Sequence, residues 1–150
     1  MRAVIQRVEK ASVVILEKEI AKIEQGLLVL LGIEIEDTKE DALWLASKIA
    51  ALRILSDERE VMNKSITETV GEVIVVSQFT LHAKTKKGNR PSYIKAARPE
   101  QAIPLYDQFK EYLSTAIGRQ VQTGGFGADM KVSLVNDGPV TILIDTKNKE

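Results

Sequence analysis

Four consecutive residues, Ser77-Gln78-Phe79-Thr80, end a run of apolar residues, and the chain's one histidine follows at position 82. In this order, Thr80 could act as a nucleophile and His82 as its base. In an extended strand, however, both side chains lie on one face about 6.5 Å apart, which is too far for a hydrogen bond unless the strand bends. No acidic residue nearby would orient the imidazole. We therefore expect His82 to be a surface residue at a strand end and the Thr80 hydroxyl to bond the main chain.

These polar residues lie in a segment, residues 73–99, that has no acidic side chain, although the chain contains 21 of them. Six of the 21 basic residues lie in the same segment. Positive charge beside the polar end of a strand suits an anionic substrate. A solvated basic loop with no such role is the alternative. The six residues are Lys84, Lys86, Lys87, Arg90, Lys95 and Arg98.

A second informative segment is Asn136-Asp137-Gly138-Pro139. The Asp-Gly pair favours a hairpin turn, so we expect a turn between two strands. Pro139 lacks an N–H donor and fits poorly in a paired strand. Only about 5–6% of X–Pro bonds in folded proteins are cis, so the sequence does not define the isomer here.

The composition excludes several classes of site. The chain has no cysteine and one histidine, which excludes disulfides, thiolate catalysis and metal sites built from cysteine or several histidines. The longest apolar run, residues 27–31, is far shorter than the roughly 20 residues of a membrane-spanning helix. The first residues alternate like a strand and do not resemble a signal peptide. We expect a cytoplasmic protein without cofactor or metal.

The elements that must position these residues follow from the hydrophobic pattern. With 150 residues, the chain is most simply one domain, residues 1–150. Asp37 or Thr38 is predicted to cap a helix that buries Ala42, Leu45, Ala46 and Ile49, and a second helix is predicted from about residue 100 to residue 117. The inner face of this second helix comprises Leu105, Tyr106, Phe109, Tyr112, Leu113 and Ala116.

Strands are predicted to outnumber helices. Short alternating or apolar segments at residues 1–8, 12–16, 20–23 and 26–32 open the chain, with a turn at Glu17-Lys18-Glu19. Further strands are predicted at residues 53–55, 73–79, 120–123, 130–135 and 140–145. The short connections favour an α+β fold with a mainly antiparallel, barrel-like sheet and two helices.

Six blocks of the sequence, spread over its whole length, closely resemble the D-aminoacyl-tRNA deacylases, the D-tyrosyl-tRNA(Tyr) deacylase family. The resemblance is weaker at Glu17-Lys18-Glu19, where relatives usually have Asp-Gly, and at Tyr93, where phenylalanine is usual. Neither departure touches the site motifs. The six blocks are residues 1–8, 26–32, 77–81, 87–92, 126–130 and 136–141.

The resemblance implies a hydrolase that cleaves the ester between a D-amino acid and the terminal adenosine of tRNA, and also glycyl-tRNA mischarged on tRNA(Ala). It implies a homodimer with active sites at the subunit interface. There, the Ser77-Gln78-Phe79-Thr80 segment of one subunit would meet a cis Gly138-Pro139 bond of the other, whose carbonyls exclude L-amino acids. Arg7 corresponds to a position that holds this loop, and Met130 to one that lines the pocket.

The resemblance also implies a mechanism without a side-chain base. The 2′-hydroxyl of the substrate would assist water, while N–H groups near Phe79 and Thr80 polarise the carbonyl. Lys84, Lys86, Lys87 and Arg90 would contact tRNA phosphates. Three alternatives stay open: Thr80 as a covalent nucleophile, a nucleic-acid-binding module without catalysis, and a hydrolase of another ester or amide.

Overall fold

The protein is described by a computed structural model that covers all 150 residues. It contains eight strands, two α-helices and two single-turn 3₁₀ helices. In chain order the elements are β1 (Arg2–Ile15), β2 (Lys18–Ile23), β3 (Gly26–Gly32), α1 (Lys39–Ala51), β4 (Leu55–Ser56), β5 (Met62–Lys64), a 3₁₀ helix (Ile66–Glu68), β6 (Glu72–Ser77), a second 3₁₀ helix (Phe79–His82), α2 (Pro99–Ile117), β7 (Gln122–Thr123) and β8 (Lys131–Asp145).

Six of the strands form one sheet in the order β2-β1-β3-β6-β7, with β8 paired to β1. The pairs of β1 with β2, β3 and β8 are antiparallel, whereas β3–β6 and β6–β7 are parallel. Parallel neighbours need a long crossover, and α1 and α2 supply the two that this sheet contains. The predicted α+β fold with a barrel-like sheet and two helices is confirmed, and the sheet is mixed, not purely antiparallel.

Two apolar clusters fill the molecule. The larger one, with 24 buried residues, lies between the sheet and both helices, and includes Phe109, Leu45 and Val75. The smaller one, with eight buried residues, lies on the other face of the sheet, and includes Val8, Leu28 and Val76. The Gln122 side chain bonds the main-chain N–H and carbonyl of Lys22, at 2.8 and 2.7 Å, and so joins β7 to β2 around the second cluster. The sheet is therefore nearly closed.

Both helices form where the sequence predicts them. Thr38 is the N-cap of α1, and its N–H donates to the Asp41 carboxylate at 2.9 Å. The predicted inner face of α2 is largely correct, but Ala116 is exposed and Ile117 is buried instead. The reason is the helical period, which places residue 117, four after Leu113, over the same face. Neither helix has the length and apolar content to cross a membrane.

Two predicted turns differ from the structure. The turn between β1 and β2 consists of Leu16 and Glu17, which both have positive φ, and not of residues 17–19. The segment 136–139 is not a hairpin turn, because β8 runs through it as one strand paired to β1. Asn136 pairs with Val8 and Thr141 with Gln6, so four residues of β8 lie opposite Arg7 alone. These four residues bulge out of the sheet.

Candidate active site

A cavity of about 630 Å³ opens where β6 ends. Ser77, Gln78 and Phe79 form one part of its wall, and Met130, immediately before β8, forms another. Most of the remaining lining is apolar. A cavity of this size, mainly apolar with a few polar groups, is typical of a small-ligand site.

The polar residues at the cavity do not continue the strand. The N–H of Gln78 still bonds the carbonyl of Leu31 at 2.7 Å, and the chain then turns into the Phe79–His82 3₁₀ helix. Gly32 permits this turn, because a Cβ at that position would lie 2.9 Å from the Gln78 carbonyl oxygen. The prediction of an extended strand to residue 79, with alternating side chains to residue 82, is therefore wrong.

The turn brings Gln78 and Thr80 together. The Gln78 side-chain amide donates a hydrogen bond to the Thr80 hydroxyl, and this hydroxyl makes no hydrogen bond to the main chain, contrary to the prediction. Phe79 and Thr80 are the first two residues of the 3₁₀ helix, whose own hydrogen bonds leave their N–H groups unused. The wall of the cavity therefore includes the oriented Gln78 amide and Phe79, whereas Thr80 does not line the cavity.

His82 is buried, with 2% of its surface exposed, and is not the surface residue that the sequence predicts. The 3₁₀ turn folds it back against Gly32, where a Cβ would lie 3.1 Å from the imidazole Cδ2. Neither ring nitrogen has a hydrogen-bond partner. The imidazole therefore packs against Gly32 and makes no hydrogen bond of the kind that identifies a general base.

Aromatic residues shape the cavity. Phe79 is 56% exposed and meets Tyr93 edge to face, with ring centroids 5.1 Å apart. On the opposite side Phe126 meets Tyr106, with centroids 5.5 Å apart. Burial, and to a smaller extent the charge of Asp107, raises the pKa of Tyr106, whose hydroxyl donates to the Val75 carbonyl at 2.9 Å. Phe126 therefore packs against Tyr106, whose position is fixed by its hydrogen bond to Val75.

Several residues that line this cavity have no role predicted from the sequence. Phe126 and Arg98 are the most prominent of them. Arg98 belongs to the acid-free segment 73–99, and this charge pattern is the sequence feature that could have identified it as a site residue. Phe126 belongs to the 126–130 block of the family resemblance, but its place in the cavity depends on packing against Tyr106 of α2.

The Gly138-Pro139 segment forms the bulge of β8, and its peptide bond is cis. Buried Arg7 holds the segment from behind: its Nε donates to the Asp137 carbonyl at 3.1 Å, and its Nη1 to the Ile54 carbonyl at 2.8 Å. The Nε also lies 3.3 Å from the Asp137 carboxylate. Neither Gly138 nor Pro139 lines the cavity of its own chain, so the structure does not bring the two motifs together within one chain.

Lys84, Lys86, Lys87 and Arg90 are all exposed. The main chains of Lys84 and Ser92 exchange two hydrogen bonds, of 2.8 and 3.0 Å, which close the loop that carries them. None of the four side chains lines the cavity. No three side chains of His, Cys, Asp or Glu are grouped so that they could hold a metal ion.

The chain was compared with known proteins. The profile of the family described as D-Tyr-tRNA(Tyr) deacylase matches residues 4–145. D-aminoacyl-tRNA deacylases of Flavobacterium psychrophilum and Bacteroides fragilis are 65% and 63% identical to it over 150 residues, covering the whole of each chain. The solved structure of a c-Myc DNA unwinding element binding protein superposes with a TM-score of 0.91 at 41% identity, over 97% of this chain and 98% of that one.

A probable eukaryotic D-amino acid tRNA deacylase has the same fold, with a TM-score of 0.81 at 16% identity over 95% of this chain and 97% of that one. The family profile and the two bacterial relatives each span nearly all or all of the sequence. This chain therefore belongs to the D-Tyr-tRNA(Tyr) deacylase family.

Proposed function

We propose that this protein is a D-aminoacyl-tRNA deacylase, with residues 1–150 as the catalytic domain. It hydrolyses the ester between a D-amino acid and the terminal adenosine of tRNA and releases both. The observation that carries this proposal is the cavity at the end of β6 in a chain of this family: Ser77, Gln78 and Phe79 line it, and the two unused main-chain donors belong to Phe79 and the adjacent Thr80. Its place of action is the cytoplasm, where charged tRNA is used.

In the proposed mechanism, main-chain groups do most of the chemistry. Water attacks the ester carbonyl with help from the 2′-hydroxyl of the substrate, and the N–H groups of Phe79 and Thr80 stabilise the negative oxygen that forms. The carbon–oxygen bond to the ribose then breaks, and the ribose oxygen takes up a proton. Two observations support this route: the Thr80 hydroxyl is engaged by Gln78, and His82 has no partner.

Selection between D- and L-amino acids is proposed to come from the Gly138-Pro139 segment of a second copy. Rejecting an L-amino acid by ~10⁴ requires roughly 5.5 kcal/mol in the transition state. One mismatched hydrogen bond supplies about 1–3 kcal/mol, so rigid exclusion by main chain is the better source. The bonds from Arg7 support such rigidity. Glycine has no side chain to exclude, so glycyl-tRNA should also be hydrolysed.

A homodimer is part of this proposal. The Gly138-Pro139 segment lies outside the cavity of its own chain, and strand β8 pairs on one side only, with β1. A long free strand edge presents unpaired N–H and C=O groups with which another chain can pair. Apolar side chains are exposed along β8 as well, the most exposed being Leu143 at 74%.

The direct test is hydrolysis of D-tyrosyl-tRNA, L-tyrosyl-tRNA and glycyl-tRNA by the purified protein. We expect rapid release from the D form and the glycyl form and negligible release from the L form. Equal rates on the D and L forms, or no release from the D form, would exclude the proposed function.

The source of the selectivity is tested with Gly138→Ala. Gly138 has a φ of 125°, and a Cβ there would lie 3.0 Å from the Val140 N and 3.1 Å from the Arg7 Nη2, so the segment must shift. We expect this variant to hydrolyse L-tyrosyl-tRNA. Gly118→Ala is the matched control, because Gly118 also has a positive φ but has open space around it. Unchanged selectivity in folded Gly138→Ala would contradict steric exclusion by this segment.

A second candidate function is nucleic-acid binding without catalysis. The 41% identical structural relative is named as a DNA-binding protein, and the basic residues of the 84–90 loop are exposed. This function predicts salt-dependent binding of duplex DNA, since each phosphate contact releases counterions. Tight DNA binding together with no turnover of any aminoacyl-tRNA would favour it over the first.

A further inference from the structure

We propose that Arg98 binds the phosphate that precedes the terminal adenosine of the tRNA, and so orients the ester toward Phe79 and Thr80. This inference rests on the proposed function. Arg98 lies immediately before α2 and lines the same cavity as Ser77, Gln78 and Phe79. It therefore contacts whatever occupies that cavity.

The charge distribution in the cavity supports this assignment. Arg98 and Asp129 are its two charged lining residues, and both are exposed. The side chain of Arg98 makes no ion pair and no hydrogen bond within the chain, and the same holds for Asp129. The guanidinium fork of Arg98 is therefore available for a ligand, and phosphate is the anion that it matches best.

The proposed substrate has complementary charges. A tRNA end charged with a tyrosyl group carries one phosphodiester anion next to the terminal adenosine and one ammonium group on the amino acid. Arg98 belongs to the acid-free segment that includes the exposed 84–90 loop, so the segment itself offers a nucleic-acid strand only basic side chains. Asp129 repels phosphate on its own side. The two residues thus favour a single direction of entry.

The test compares three substrates of increasing phosphate content. The first is D-tyrosine esterified to the ribose of adenosine, called D-tyrosyl-adenosine here, which has no phosphate. The second, the monophosphate ester, is D-tyrosine esterified to the ribose of adenosine 5′-monophosphate. The third is D-tyrosyl-tRNA. In Arg98→Gln we expect KM to rise about tenfold or more on the two phosphorylated substrates, with kcat little changed, because a charge-assisted hydrogen bond is lost. On D-tyrosyl-adenosine KM should not change. Arg98→Lys should restore part of the affinity.

Arg90→Gln is the matched control, because it removes one exposed arginine that does not line the cavity. It should affect D-tyrosyl-tRNA alone and leave the monophosphate ester unaffected. Equal KM changes on all three substrates in Arg98→Gln, or none on the monophosphate ester, would overturn the assignment of Arg98 while the deacylase function stands. If the wild type hydrolyses none of the three, the proposed function fails and this inference fails with it.

Discussion

The Thr80 hydroxyl accepts a hydrogen bond from Gln78, and no basic side chain bonds to it. If the N–H groups of Phe79 and Thr80 carry the chemistry, Thr80→Val should keep activity on D-tyrosyl-tRNA to within about tenfold, since each N–H remains. Steady-state kinetics measure this, and mass spectrometry of the quenched reaction shows whether an acyl-enzyme forms. A tyrosyl adduct on Thr80 in the wild type, together with near-complete loss of deacylase activity in Thr80→Val, would establish covalent catalysis instead.

His82 offers a second prediction at the residue scale. Its buried imidazole has two unpaired nitrogens, which cost free energy that an apolar ring would not. His82→Phe should therefore keep its activity and unfold at no lower a temperature than the wild type, in contrast to His82→Ala, which leaves a cavity. Thermal unfolding and deacylation assays check both variants. An inactive but folded His82→Phe protein would give the imidazole a role in the reaction.

Several of the residues that the sequence singles out line the cavity, but their geometry was not predicted. Ser77, Gln78 and Phe79 line the cavity, as does Met130. The turn that follows them was not predicted, because it depends on contact with Gly32, which is far away in the sequence. The burial of His82 was missed for the same reason. Local pattern carries no information on such contacts between distant segments.

At the level of the elements, the start of α1 is tied to the C-terminal end of the chain. Burial alone would raise the pKa of Asp41, but hydrogen bonds from Lys147, the Thr38 N–H and Thr146 outweigh it and lower the pKa from 3.8 to about 2. The Lys147 ammonium lies 2.8 Å from the Asp41 carboxylate. Since the charged form is favoured in the folded state, Asp41 stabilises the fold at neutral pH.

This shift predicts a dependence of stability on pH. The contribution of Asp41 is fully present above its unfolded pKa of 3.8 and is lost as pH falls through about 2. Asp41→Asn should therefore lower the free energy of unfolding near neutral pH, and the difference from the wild type should shrink toward pH 2. Urea denaturation at several pH values measures it. A difference that is the same at every pH would show that the charge of Asp41 is not responsible.

The order of the elements also shows where sequence patterns stop being informative. The apolar run of β3 and the inner face of α1 were predicted correctly, and that of α2 was correct except at Ala116, because burial on both faces of a strand requires a continuous apolar run and burial of one helix face requires a helical period. The parallel pairing of β3 with β6 was not predicted, since strand direction depends on whether the connecting segment crosses back over the sheet, as the segment containing α1 does here. Likewise, the Asp137-Gly138 pair has the composition of a hairpin turn, but its backbone follows the pairing of β8 with β1.

For the molecule as a whole, the central prediction is that each site combines two copies of the chain. A mixed dimer of two different chains tests this directly. One chain is the wild type. The other carries Gln78→Trp, which blocks its cavity, together with Gly138→Ala. Neither protein alone should hydrolyse L-tyrosyl-tRNA, because the wild type rejects this substrate and the cavity of the doubly substituted protein is blocked. In a mixed dimer, the open wild-type cavity faces the altered Gly138 segment, so L-tyrosyl-tRNA should now be hydrolysed.

By the symmetry of such a dimer, one of its two sites is productive, which gives about half the rate per dimer of Gly138→Ala alone. Co-expression with two affinity tags isolates the mixed dimer and avoids reliance on subunit exchange. Swapping the tags between the two chains controls for their effect on the rate. If the Gly138 segment served the cavity of its own chain, the mixed dimer would still reject L-tyrosyl-tRNA. If the two chains did not copurify at all, the cavity would be complete in a monomer, and selection would have to arise from residues around Ser77 and Met130.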